Sequence, residues 1–237
     1  MRHKDIPLRE RIIFALDVAS PDRAMELVER LENRIGFYKV GLQLFLAGGF
    51  PVVERIAARG HKVMLDLKFY DVPQTVNLAV EQLAGRHVTY ATVHGNPPIL
   101  EAAARAKSDV KILAVTVLTS FGPEDAAQMF GPAARVEDVV LSRARAAIQA
   151  GIDGVVCSGL EAARLRAELG DDFFMVTPGI RPGGKTADDQ KRVITAGRAI
   201  SDGADHVVVG RPIRDAEDPI SVVDAMQEEI RKALANG

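Results

Sequence analysis

The sequence predicts one closed (β/α)8 barrel, a single domain over residues 1–237. Three observations predict it. Eight short β-branched or apolar runs alternate with helix-length amphipathic stretches, the pattern of parallel βαβ units. The first four runs begin about 25 residues apart, and a chain of 237 residues is near the length at which eight such units close. Polar residues recur at the C-terminal ends of the runs, the face where such barrels build their sites. An open doubly wound sheet is the alternative for the same alternation.

The first run, IIFALD (12–17), ends on Asp17. Ser20 then offers an N-cap side chain and Pro21 a first helical residue with φ already set, so a helix starts there. FYKVG (37–41) carries Lys39, and PVVERIAARG follows as the next helix. KVMLDLK (62–68) is third, and a helix from Pro73 stops at Gly85. VTYATVH (88–94) ends on His94, and VKILAVTVLT (110–119) on Thr119. The long interval 120–152 predicts an extra loop or short helix ahead of VEDVVLSRARAAIQAG. DGVVCS (153–158), FFMVTPG (173–179) and HVVVG (206–210) complete the eight, and SVVDAMQEEIRKALANG closes the chain as an amphipathic helix.

Composition removes whole classes of function. Thirty basic against 32 acidic side chains, a net charge of −2, give no electrostatic case for nucleic acid or an anionic membrane. With no Trp and 5% aromatics, stacking platforms for single strands are few. The lone cysteine excludes a disulfide framework and a multi-cysteine metal cage. The longest apolar run is the five residues Ile12–Leu16, far below the ~20 that span a bilayer. The opening MRHKDIPLRER is charged and lacks a signal-peptide apolar region. The expectation is a soluble, cytoplasmic protein acting on a small molecule.

DLKFYD (66–71) carries the sharpest chemistry. Residues two apart share a strand face, so Met64, Asp66 and Lys68 point into the barrel while Val63, Leu65 and Leu67 face the helices. A carboxylate and an ammonium on an interior face are costly unless paired. Taken alone, the pair also reads as a structural ion pair, Asp71 as a helix cap, and Lys39 as a solvated side chain. Gly210-Arg211-Pro212 suits a helix start where N–H groups and an arginine meet an anion. PGIRPGGKTADDQ (178–190), with Gly179, Gly183 and Gly184, reads as a flexible loop. His94 reads as structural rather than catalytic, and Cys157 as a small buried hydrophobe.

IIFALD, KVG, DLKFYD with VPQTV, AVTVLTS, DGVVCS, VTPGIRP with DDQKR, and VVVGRP occur in this order. Together they resemble the orotidine 5′-phosphate decarboxylase family, over about residues 11–225. The resemblance implies loss of CO2 from orotidine 5′-phosphate, giving uridine 5′-phosphate, the last step of pyrimidine nucleotide biosynthesis. It implies no cofactor and no metal. Lys39, Asp66, Lys68 and Asp71 match the family's alternating array, with Lys68 stabilising and protonating the C6 carbanion. Asp17 and Lys39 match ribose contacts, and Thr119 a contact near the base. Arg181, Gln190, Gly210 and Arg211 match the phosphate end. Asp71 and Thr75 match residues that reach the neighbouring site of a homodimer. A metal-dependent 3-keto-gulonate-phosphate decarboxylase, a hexulose-phosphate synthase and a non-catalytic nucleotide-binding barrel are the alternatives. VHGNPP (93–98), Gln74 and Gly159 depart from the family pattern, away from the array.

Overall fold

A computed structural model describes residues 3–184 and 192–235. Its strands are β1 (Ile12–Ala15), β2 (Phe37–Gly41), β3 (Lys62–Phe69), β4 (Tyr90–His94), β5 (Lys111–Val115), β6 (Gly154–Val156), β7 (Phe174–Thr177) and β8 (His206–Val209). All pairings are parallel and in chain order, and β8 returns to β1, closing the barrel. The helices are α1 (Leu8–Arg11), α2 (Pro21–Leu31), α3 (Leu42–Ala58), α4 (Pro73–Glu81), α5 (Pro97–Ala106), α6 (Pro123–Phe130), α7 (Val136–Gln149), α8 (Gly159–Leu169), α9 (Ala196–Ser201), α10 (Arg211–Arg214) and α11 (Pro219–Ala235).

Seven of the eight strands lie within their expected runs, β3 extends one residue further to Phe69, and the start of α2 follows the expected chemistry. Ser20 caps α2 by accepting from the Arg23 N–H, with Pro21 in the first turn. Helix α6 fills the long interval before α7. The helix expected from PVVERIAARG is longer than anticipated. It begins at Leu42, directly after β2, and bends at Gly49, whose φ of 56° is left-handed, two residues before Pro51. Proline has no N–H to donate and glycine accepts the turn, so two helical pieces meet there.

Alternation along the strands splits the core. Ile13, Phe37, Met64, Tyr90, Leu113, Val115, Val156 and Val176 fill the barrel interior. Their neighbours, including Ile12, Phe14, Val63 and Leu65, pack under the helices. The charged N-terminal segment forms the barrel floor. Arg11, 2% exposed, donates to the Asp205 carbonyl at 3.1 Å, and Lys4 pairs with the Asp205 carboxylate at 3.1 Å. Arg166 meets the same carboxylate at 2.8 Å. His206 lies between the Glu10 carbonyl (2.8 Å) and the Tyr90 hydroxyl (3.1 Å). The floor is thus sealed, and the other end of the barrel is left for a site.

Candidate active site

At the C-terminal ends of the strands lies a cavity of about 380 Å³. Asp17, Lys39, Asp66, Lys68, Thr119, Arg181, Gly210 and Arg211 all line it. Met64, Val115, Val117, Leu118, Val156 and Val208 give it an apolar wall.

Strand register brings the charges together. Lys39 on β2 lies beside Ala15 of β1 and Met64 of β3, and Gly41 lies beside Asp66. Lys39 Nζ is 2.9 Å from Asp17 Oδ1 and 3.6 Å from Asp66 Oδ2. Lys68 Nζ is 2.8 Å from Asp66 Oδ1. The four residues form one chain of alternating sign, Asp17–Lys39–Asp66–Lys68. At such distances two unit charges attract by about 5–6 kcal/mol at an effective dielectric of 20. Burial works against charge on Lys39, but Asp66 and Asp17 outweigh it and hold its pKa above the ordinary value. Burial likewise opposes charge on Asp66, yet Lys39 and Lys68, with hydrogen bonds from Lys68 and Thr92, keep its carboxyl below the usual range. Both groups are ionised at neutral pH.

Gly41 is what lets Lys39 reach Asp17. A Cβ there would sit 2.9 Å from Lys39 Nζ and 3.2 Å from Asp17 Oδ1. Sequence reasoning passed over this glycine, although the KVG triplet was in view.

Strand β3 does not run regularly to its end. Met64 and Leu65 pair with Tyr90 and Ala91, but the next partner of Val93 is Phe69, so the register shifts across Asp66–Lys68. Lys68 has φ of 50°, a left-handed value that costs a non-glycine residue about 1–3 kcal/mol. Strain of this kind persists only where surrounding contacts fix it, and here it aims the ammonium.

The part of the cavity where the sequence places a phosphate is bordered by the ends of β7 and β8. Gly210 caps α10, which is a single turn, so an anion held there relies on side-chain charge more than on a helix dipole. Arg211 and Arg181 supply it. Arg214, which the sequence reading missed, also lines the cavity and donates to the Asp17 carbonyl at 3.0 Å. The RPIR spacing, three residues along one helical turn, carried that signal. Arg192 was missed too. Its guanidinium pairs with Glu161 at 2.6 Å and donates to the Val117 and Leu118 carbonyls at 3.0 Å, pinning the segment that leads to Thr119.

Two expected residues do not line this chain's cavity. Asp71 and Thr75 are exposed, and Asp71 Oδ1 accepts from the Val72 N–H at 2.6 Å. Gln190, with most of the 178–190 loop's second half, lies outside the described residues. His94 packs edge-on against Tyr70, with ring centroids 4.9 Å apart. Cys157 is buried, and burial pushes its thiol pKa up. Two of the departures have a steric basis. A Cβ at Gly95 would lie 2.9 Å from the Val115 carbonyl oxygen, and one at Gly159 would lie 2.7 Å from Ile194 Cγ2.

The model of the orotidine 5′-phosphate decarboxylase / HUMPS family matches residues 10–226. The chain belongs to this family. A relative from Methylococcus capsulatus named orotidine 5′-phosphate decarboxylase is 50% identical, covering 100% of this chain and 98% of its own. One of the same name from Stenotrophomonas maltophilia is 50% identical, covering 99% of each. The crystal structure of orotidine 5′-phosphate decarboxylase from Lactobacillus acidophilus superposes with a TM-score of 0.78 at 34% identity, covering 93% of this chain and 99% of that one. Family membership thus agrees with the closed barrel and with a cavity at its C-terminal face.

Proposed function

We propose that this enzyme is a carboxy-lyase that converts orotidine 5′-phosphate to uridine 5′-phosphate and CO2, the last step of de novo pyrimidine nucleotide synthesis. One observation carries the reading: the alternating chain Asp17–Lys39–Asp66–Lys68 lines the same cavity as Arg181 and Arg211. A cavity with fixed cations for a carbanion and for a phosphate fits a substrate that carries both demands.

In this reading C6 of the pyrimidine lies beside Lys68 Nζ. The bond from C6 to the carboxylate carbon breaks, CO2 leaves, and the electron pair stays on C6. The ammonium stabilises that pair and then donates its proton to C6, and solvent reprotonates the amine. Asp66 keeps Lys68 charged and oriented. Lys39 and Asp17 meet ribose hydroxyls, and Thr119 the base. Arg211, Arg181 and Gly210, with Gln190, hold the 5′-phosphate, whose binding energy is available for the reacting end. The reaction needs neither metal nor cofactor.

The same reading makes the active unit a homodimer in which Asp71 and Thr75 complete the partner's site. Their exposure supports it, as do Tyr70, Val72 and Leu78 around them, exposed by 66%, 63% and 49%. Apolar side chains this open gain by being covered. The substrate is a small nucleotide, with no nucleic acid partner, and the expected location is the cytoplasm. Among the described residues no helix is long and apolar enough to cross a membrane.

The test is incubation with orotidine 5′-phosphate in EDTA. One uridine 5′-phosphate and one CO2 per substrate consumed supports the reading, and no turnover refutes it. For the dimer, Lys68→Ala and Asp71→Ala chains, each inactive alone, regain partial activity when mixed. No recovery despite demonstrated subunit exchange sinks the shared site.

A further inference from the structure

We propose that Thr92 is a positioning residue, whose single hydroxyl sets both the backbone of Lys68 and the carboxylate of Asp66. This rests on the decarboxylase reading above for its kinetic consequence, though not for its geometry.

Thr92 lies on β4 and is 1% exposed. Its Oγ1 donates to Asp66 Oδ1 at 2.9 Å and accepts from the Lys68 backbone N–H, also at 2.9 Å. A hydroxyl has one proton and two lone pairs, so it can do both at once. Each bond falls where β3 leaves its ladder. Between the Leu65–Ala91 and Phe69–Val93 pairings, β3 advances four residues while β4 advances two. The Lys68 N–H is inside that irregular stretch, and the Thr92 side chain is its acceptor. Buried N–H groups need a partner, and this one belongs to a residue at φ 50°. The hydroxyl therefore holds the left-handed turn that sends the Lys68 side chain to Asp66.

The carboxylate end closes the loop. Asp66 Oδ1 receives both the Thr92 hydroxyl and Lys68 Nζ, the latter at 2.8 Å. Oδ2 is left toward Lys39 at 3.6 Å. Thr92 thus fixes which oxygen serves which lysine, from a position that lines no part of the cavity. It acts on the reaction only through Asp66 and Lys68.

The experiment compares Thr92→Val, which keeps the shape and removes the hydroxyl, with Thr92→Ser, which keeps the hydroxyl and removes the methyl. Thr92→Ala replaces the valine variant should that one fail to fold. On orotidine 5′-phosphate, kcat of Thr92→Val falls by about tenfold or more with KM changed by less than about threefold, and Thr92→Ser stays within about threefold of wild type. A crystal structure of Thr92→Val has Lys68 φ moved out of the left-handed region. Wild-type kcat in Thr92→Val, a loss confined to KM, or Thr92→Ser as slow as the valine variant overturns the proposal. If wild-type enzyme does not turn this substrate over, the decarboxylase reading fails by itself. The Lys68 φ of Thr92→Val then decides: a retained left-handed value refutes the positioning role, and a changed one supports it.

Discussion

Gly41→Ala isolates the electrostatic chain from the fold. Gly41 has φ −96° and ψ −176°, values that alanine adopts freely, so the backbone is not the obstacle. The new methyl meets the ends of two flexible side chains, Lys39 Nζ at 2.9 Å and Asp17 Oδ1 at 3.2 Å. Ordinary contact requires the ammonium to retreat by roughly 1 Å. At an effective dielectric of 20, lengthening the 2.9 Å pair with Asp17 by that much forfeits about 1.5 kcal/mol. The 3.6 Å pair with Asp66 forfeits about 1 kcal/mol. Asp17 is 44% exposed at its side chain, so solvent screening lowers the total to about 1–2 kcal/mol. The expected result is a kcat/KM for orotidine 5′-phosphate lower by about 5- to 30-fold. The melting temperature falls by about 2–8 °C, and the enzyme stays folded. Wild-type kcat/KM in a folded Gly41→Ala enzyme refutes the claim that Lys39 must approach Asp17 this closely.

Other outcomes follow from the same geometry. Arg211→Ala removes a charge-assisted contact to the phosphate and lowers kcat/KM by about 30- to 150-fold, equivalent to about 2–3 kcal/mol. Activity on the unphosphorylated nucleoside stays unchanged, and an equal loss on both substrates contradicts the assignment. On the barrel floor, burial pushes the His206 pKa down from 6.5 to about 4. A depressed folded-state pKa means the unfolded chain takes up the proton first as pH falls. The stability held by neutral His206 is therefore full above about pH 6.5 and is lost as pH falls through about 4, a swing of about 3 kcal/mol. Urea unfolding of His206→Gln at pH 7 and pH 4.5 gives a smaller difference than wild type. An unchanged difference removes His206 as its source.

The fold was legible because period-two strands and period-3.6 helices write different patterns. FYKVG (37–41) became β2 residue for residue, and the interior placement of Met64 and Asp66 followed from alternation alone. Alternation also put Lys68 inside, but by a route the rule does not contain, since β3 is irregular there and Lys68 is left-handed. A register shift depends on the facing strand, so no local pattern on β3 reports it. Thr92 escaped for the same reason: its role exists only opposite that irregularity. The opening MRHKDIPLRER looked merely charged, whereas Lys4 and Arg11 find Asp205 about 200 residues away in sequence. Gly41 stood in plain view, but its purpose needs the distance between two side chains from different strands. Asp71 and Thr75 were named through kinship, and a single chain leaves them at the surface.

The central claim is that Lys68 supplies both the charge and the proton at C6. It is tested most directly by kcat for loss of orotidine 5′-phosphate, wild type beside Lys68→Ala, at neutral pH with EDTA present. The account predicts wild-type turnover indifferent to the chelator and a Lys68→Ala enzyme slower by on the order of a thousandfold or more, with its fold intact. A folded Lys68→Ala enzyme that turns over at the wild-type rate contradicts it.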